Sequence, residues 1–243
     1  AGGNMALINS CNNPDSPFYG RTYLTWSKFE SHNGDYASSA IFESHSDDGG
    51  QSWSAPQEIS GSNPALCTFQ ETGPVAEELW SKLGHEALWE APGAFDDQYL
   101  LVRSTDGGQS WSSPSFVVGL EDGSNDYPIN VNGRQTLTGY QVRVNSAGNI
   151  VASPTDGRLY LVFADNRNGV HDSANPVTNI DVFVMSSSNG GASWSAPTLV
   201  DAGAGYQWCP WLEVDPTTGH IGILYHDRGA ANGPLYHTAL AEG

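Results

Sequence analysis

The chain reads as an all-β protein built from repeated strand–turn–strand units, and three observations predict this. One eight-residue pattern occurs three times, as SDDGGQSW at 46–53, STDGGQSW at 104–111 and SSNGGASW at 187–194. A strand-like run leads into each copy: SAIFESHS, QYLLVRS and DVFVMSS. The composition is rich in turn formers and aromatics, with 28 Gly, 14 Pro, 8 Trp and 10 Tyr against only 15% charged residues. Three matches of this length in one chain are internal repeats, and repeats set the architecture before any single element is read.

The pattern has its own physical logic. Asp48, Asp106 and Asn189 are placed to accept hydrogen bonds from backbone N–H groups one turn on, and the hydroxyls of Ser46, Ser104 and Ser187 can tie the turn to itself. The glycine pairs that end in Gly50, Gly108 and Gly191 can take positive φ. Trp53, Trp111 and Trp194 then present a large apolar face to pack beneath the turn, and Pro56, Pro114 and Pro197 suit the start of an edge strand. The expected role of all these residues is structural. The acidic turn lacks the alternating ligands and closing Glu of an EF-hand, and no Cys/His spacing resembles a zinc site, so neither a metal nor another cofactor is expected.

These boxes resemble the Asp-box, or bacterial neuraminidase repeat, of sialidase-type β-propellers. The resemblance covers the chain apart from 61–97. It implies four-stranded antiparallel blades in which the box joins the third and fourth strands, on the face opposite the active site. Propellers of the resembled family have six blades, whereas about four are evident here, as a single domain over 1–243 or as part of a larger one.

Aligned on the boxes, the elements follow in order. The first blade takes NMALIN (4–9), RTYLTWSKF (21–29), ASSAIFES (37–44) and PQEIS (56–60). The second has QYLLVRS and PSFVVG on either side of its box. Its earlier part, 71–97, lacks alternation and is predicted to be an irregular or helical insertion, because Val75, Leu79, Leu83 and Leu88 fall near helical spacing, the alternative being HEALWEAP as the second strand of the blade. The third takes YQVRV (140–144), RLYLVFADN (158–166), NIDVFVMSS (179–187) and PTLV (197–200). The fourth takes PWLEVD (210–215), HIGILYHDR (220–228) and LYHTALAE (235–242), with no box after it. The segments 119–139 and 166–179 read as long loops, where function concentrates.

Charge narrows the partners. Nine basic against twenty-seven acidic residues give a net charge of −18, which repels nucleic acid and anionic membrane surfaces. No run of about eighteen apolar residues offers a membrane span. The acidic, lysine-poor surface suits a secreted or extracellular protein. Cys11, Cys67 and Cys209 are compatible both with a Cys11–Cys67 bridge beside a buried Cys209 and with three unpaired thiols.

In a propeller with boxes below, the links from second to third strand emerge above. This brings Lys28, Glu30, Glu90, Asp165, Arg167, His226, Asp227 and Arg228 toward one mouth. The catalytic candidates are Arg167, Arg228, Asp165, Asp227 and Tyr225; the alternative reading of each Asp–Arg pair is a local ion pair or turn clamp. The resemblance implies, for an active sialidase, three arginines gripping a carboxylate, a Tyr–Glu nucleophile pair and an Asp acid. The Arg-Ile-Pro motif of the first arginine is missing, since Arg21 sits in GRTYL and Arg134 in GRQTL. Tyr206, Trp208, Arg134 and His226 are the expected sugar-binding residues, with Trp211 assigned to the core. Three functions follow: a noncatalytic glycan-binding or scaffold module, a glycoside hydrolase related to exo-α-sialidases, and a structural subunit that assembles, or joins further domains, through open blade edges.

Overall fold

The computed structural model describes residues 6–10, 16–32, 35–60, 97–121, 136–137, 140, 144, 146, 148–172, 179–229 and 237–243. Among these residues every regular element is a strand. The predicted insertion at 71–97 lies outside them except for Asp97, as do Cys11, Cys67, Glu90 and Arg134. The described residues fall into two compact units: 6–60 with 100–116, and 97–99 with 117–243.

In the first unit, β1 (Ala6–Ser10), β2 (Thr22–His32), β3 (Asp35–Ser46) and β4 (Gln57–Glu58) form one sheet in that order. All three pairings are antiparallel. Each strand therefore lies beside its sequence neighbour, the arrangement the first repeat predicts.

The second unit contains a sheet of β7 (Asn149–Ala152), β8 (Leu159–Asp165), β9 (Asp181–Ser187) and β10 (Thr198–Leu199), and another of β11 (Gln207–Val214), β12 (Ile221–Asp227) and β13 (His237–Glu242). A two-stranded sheet pairs β5 (Asp97–Leu101) with β6 (Ser115–Leu120), and the second box lies between these strands. The first strand of the third repeat corrects the expectation: it is Asn149–Ala152, whereas Tyr140 and Val144 are not in a strand. Gly148 accounts for the choice. A Cβ there would lie 1.8 Å from the carbonyl oxygen of Val162, so only glycine lets the chain enter the sheet beside β8 at this point.

The period of two in β8 and β9 makes two cores. Val162, Ala164, Ile180 and Val182 pack with Trp208, Leu212, Ile223 and Tyr225 of β11 and β12. On the opposite face Leu161, Phe163, Phe183 and Met185 pack with Val118 and Leu120 of β6. The middle sheet is thus buried on both sides, which is why its strands read as almost continuous apolar runs.

The three boxes close with the same bonds. Ser46 donates to Asp48 (2.8 Å) while accepting from the Gly50 amide (2.8 Å), and the Ser52 amide donates to Asp48 (2.9 Å). The second box repeats these at 2.8, 2.7 and 2.9 Å through Ser104, Asp106, Gly108 and Ser110. The third uses Ser187, Asn189, Gly191 and Ser193, at 2.9 Å throughout. Each glycine pair has positive φ, from 66° at Gly190 to 88° at Gly50 and Gly108. The serine after each Trp adds a further tie: Ser54, Ser112 and Ser195 donate their amides to the carbonyls of His45, Arg103 and Ser186, at 2.8 Å each. The tryptophans differ more. Trp53 is 40% exposed and Trp111 is half-buried, whereas Trp194 packs against the Phe163–Phe183 cluster.

These bonds hold the Asp48 and Asp106 carboxyls down at about 2, chiefly through the Ser52 and Ser110 hydroxyls and amides. A carboxyl lowered from 3.8 stabilises the turn above that value and loses the contribution as pH falls toward 2. Asn189 does not titrate. Amide hydrogen exchange compared at about pH 5 and about pH 3 should therefore show Gly50, Ser52, Gly108 and Ser110 losing protection while Gly191 and Ser193 keep theirs. Equal loss in all three boxes would contradict this reading of the turn.

Candidate functional site

Antiparallel order fixes where chemistry can gather in the second unit. The third box connects the end of β9 to the start of β10, so the end of β8, the start of β9, the end of β10, the start of β11 and the end of β12 all lie at the opposite edge. Asp165, Asp181, Asp201, Gln207 and Asp227 occupy these positions.

Asp165 is fully buried and Arg167 closes on it with two guanidinium nitrogens, Nε at 2.8 Å and Nη2 at 2.5 Å. The same Nη2 donates to the Gly119 carbonyl at 3.0 Å, and the Glu121 amide donates to Asp165 at 3.1 Å. The guanidinium lies 4.6 Å from the Phe163 ring centroid and 5.2 Å from that of Phe183. This is a clamp that joins β8 to the end of β6, stacked on the core beneath it.

Arg228 is likewise inside. Its guanidinium is 3.3 Å from the Tyr140 ring centroid, and its amide donates to the Tyr206 carbonyl at 3.0 Å. Asp227 accepts from the Gly229 amide (2.7 Å) and faces His237 Nε2 at 3.3 Å. Tyr225 is in the core, donating its hydroxyl to Asp201 at 3.0 Å. Burial, then Asp201, pushes its pKa up to about 12, so the phenol is a poor nucleophile.

The aromatic residues at the start of β11 reverse their expected roles. Trp208 is buried in the core, its ring 5.6 Å from that of the half-buried His226. Trp211 is 51% exposed, and its indole N–H donates to Glu213 at 3.1 Å. Trp208 is paired with His226 and Trp211 with Leu224, so three residues of β11 span two of β12 between them and simple alternation is interrupted there. The strand carries a bulge between Trp208 and Trp211, where Cys209 has a φ of 51°. Cys209 itself is exposed and unpaired, against the alternative that buries it beside a Cys11–Cys67 bridge. Tyr206 is half-buried against the same core. Lys28 belongs to the other unit, with Nζ 5.4 Å from the Phe42 ring centroid, and the Glu30 side chain lies outside the described residues.

Two site residues escape sequence reasoning. Asp181 is 5% exposed and accepts from the side-chain amides of Asn168 (2.6 Å) and Asn179 (3.2 Å). Desolvation raises its pKa to about 6 against the Asn168 hydrogen bond, with Asp201, Asp165 and Asp227 adding to the rise. Gln207 is fully buried, and neither atom of its amide has a partner among the described residues. A lone Asp or Gln at a strand end carries no sequence signal; only the pairing of Asp165 with Asp181 and of Gln207 with Asp227 brings them together. No group of three His, Cys, Asp or Glu able to hold a metal occurs among the described residues.

Asp181 gives a signed prediction. A carboxyl whose pKa rises from 3.8 to about 6 on folding favours the folded state while protonated, so its cost appears as pH climbs through that window and is complete above it. Asp181→Asn should therefore stabilise the protein at about pH 8 by on the order of 2 kcal/mol and change little at about pH 4. Thermal melts at both values check this; equal shifts would contradict it.

No protein-family model and no curated protein sequence matches the chain. Solved structures do. A protein of unknown function from Dyadobacter fermentans is 19% identical over 91% of this chain and 62% of its own, with a TM-score of 0.46. Penicillium chrysogenum α-L-arabinanase, complexed with arabinobiose, is 14% identical over 97% and 61%, at 0.48. The intramolecular trans-sialidase of Ruminococcus gnavus is 14% identical over 90% and 44%, at 0.41. The chain spans about three fifths of the length of the first two.

Proposed function

We propose that the chain is a secreted carbohydrate-binding module of the Asp-box β-propeller type, without glycosidase activity. The observation that carries this is the threefold turn, which repeats the same three closing hydrogen bonds each time after a strand. Each four-stranded sheet is read as one blade, and the module as one domain. The two arginines best placed to grip a sugar carboxylate are engaged otherwise, Arg167 by Asp165 and Arg228 beneath Tyr140. With a net charge of −18, this favours neutral over sialylated glycans. Calorimetric titration with neutral and sialylated oligosaccharides tests the reading. Binding of a neutral oligosaccharide that is recovered intact is expected, and failure to bind any member of the panel would refute it.

One observation favours a second reading, a glycoside hydrolase. Asp181 holds its proton to about pH 6 beside other carboxylates, the pairing of acid and base that sugar hydrolysis needs. Cleavage of an oligosaccharide that Asp181→Asn abolishes would move this reading to first place.

A further inference from the structure

Gln207 is fully buried, and neither the donor nor the acceptor of its side-chain amide has a partner among the described residues. Such a group costs free energy in the interior unless something else supplies its bonds. Its position shows where those bonds are wanted. Gln207 is the register partner of Asp227, yet its N–H donates to the Ile180 carbonyl at 2.8 Å, while the Arg228 N–H donates to the Tyr206 carbonyl at 3.0 Å. Gln207 and Asp227 are therefore a non-hydrogen-bonded pair, with Cα atoms about 4.5 Å apart and side chains close together on one face. Tyr225, two residues before Asp227, shares that face and donates its hydroxyl to Asp201 at 3.0 Å. The bond to Ile180 sets Gln207 beside Asp181 as well.

The carboxylates around this amide are held mainly by neutral donors. Asp181 accepts from Asn168 and Asn179 on Oδ2, and Asp201 accepts from the Gly203 amide at 2.8 Å besides Tyr225. Asp227 accepts from the Gly229 amide at 2.7 Å and has His237 Nε2 at 3.3 Å. Asp201 and Asp227 both raise the pKa of Asp181, so their charges reach it. Asp201 is half-buried and the Asp227 side chain is 15% exposed, which makes these two the open side, with Gln207 and Asp181 behind them.

The unfilled valences select the occupant. An anion would meet three carboxylates and leave the amide oxygen unfilled, and an ammonium would leave the amide N–H groups unfilled. A hydroxyl satisfies both, donating to a carboxylate or to Gln207 Oε1 and accepting from Gln207 Nε2. No three of the described carboxylates are grouped to share a metal ion, so the donors belong to separate atoms of one molecule. We infer that the edge between Asp201 and Asp227, backed by Gln207 and Asp181, is the subsite for two adjacent hydroxyls of an uncharged sugar ring. The inference rests on the carbohydrate-binding reading above and assigns that reading its residues. Gln207 turns its amide toward Asp227 to meet the ring, and the bonds gained offset the cost of burying it unpaired.

Titration calorimetry with arabinobiose, galactobiose and cellobiose, with sialyllactose as the anionic control, tests this together with thermal melts. Gln207→Met keeps the length of the side chain and deletes both polar atoms. It should weaken binding of the neutral disaccharide by about tenfold or more, while the melting midpoint without sugar holds or rises because the orphaned amide is gone. A lowered midpoint with unchanged affinity would mean that Gln207 serves only the fold, and would overturn the inference while leaving the carbohydrate reading intact. A wild-type chain that binds none of the three neutral disaccharides refutes both. Should the variant fail to fold, the Gln207 side-chain amide resonances of the wild type decide: they are expected to shift as sugar is added, and resonances that stand still while the sugar binds overturn the inference.

Discussion

Replacing Asp165 by alanine is expected to lower stability by about 3 kcal/mol, because it leaves a largely buried guanidinium without its counter-charge. Asp165 is fully buried and Arg167 exposes only 20% of its side chain, so water cannot replace the lost carboxylate. The change also orphans the amides of Glu121 and Arg167, both of which donate to Asp165 at 3.1 Å. Removing Arg167 as well should restore part of the loss, since the pair is then gone together. Denaturant unfolding of the two single variants and the double variant measures this coupling. Three additive losses, or an Asp165→Ala variant that melts normally while losing an activity, would show that the pair serves chemistry and not the fold.

Phe163→Ala should cost about 3–5 kcal/mol, the range for emptying a buried aromatic site in a packed core. Phe163 is fully buried, stacks on Phe183 at 6.0 Å, and lies under the Arg167 guanidinium. Its loss opens a cavity on one face of the middle sheet and withdraws the support of the clamp. Trp53→Ala provides the control, because Trp53 is 40% exposed and its removal should cost only about 1 kcal/mol. Equal losses at the two positions would contradict the account of where the core lies.

The strand–turn–strand pattern is legible in the sequence because each box carries its own closure: the Ser, Asp or Asn, and paired glycines satisfy one another locally. The flanking strands of three repeats follow from alternation. Other parts depend on partners that no local pattern reveals. YQVRV alternates as well as GNIVA does, and only the close approach of Gly148 to Val162 selects the latter for β7. The Asp165–Arg167 pair is visible in FADNRNG, but its two aromatic supports come from β8 and β9 together. Trp208 and Trp211 are both prominent in GYQWCPW, but the bulge between them interrupts the alternation that would say which is buried, and no local pattern announces that bulge. Asp181 and Asp201 acquire their significance from the strand ends that meet beside them.

The central claim, that the arginines at this edge serve the fold, is tested most directly by incubating the chain with a fluorogenic sialoside and measuring release of the fluorophore. The account predicts no release above background, since Arg228 is buried beneath Tyr140, Arg167 is held by Asp165, and the Arg-Ile-Pro motif is absent. Release that disappears in Arg228→Ala while that variant keeps its melting temperature would contradict it.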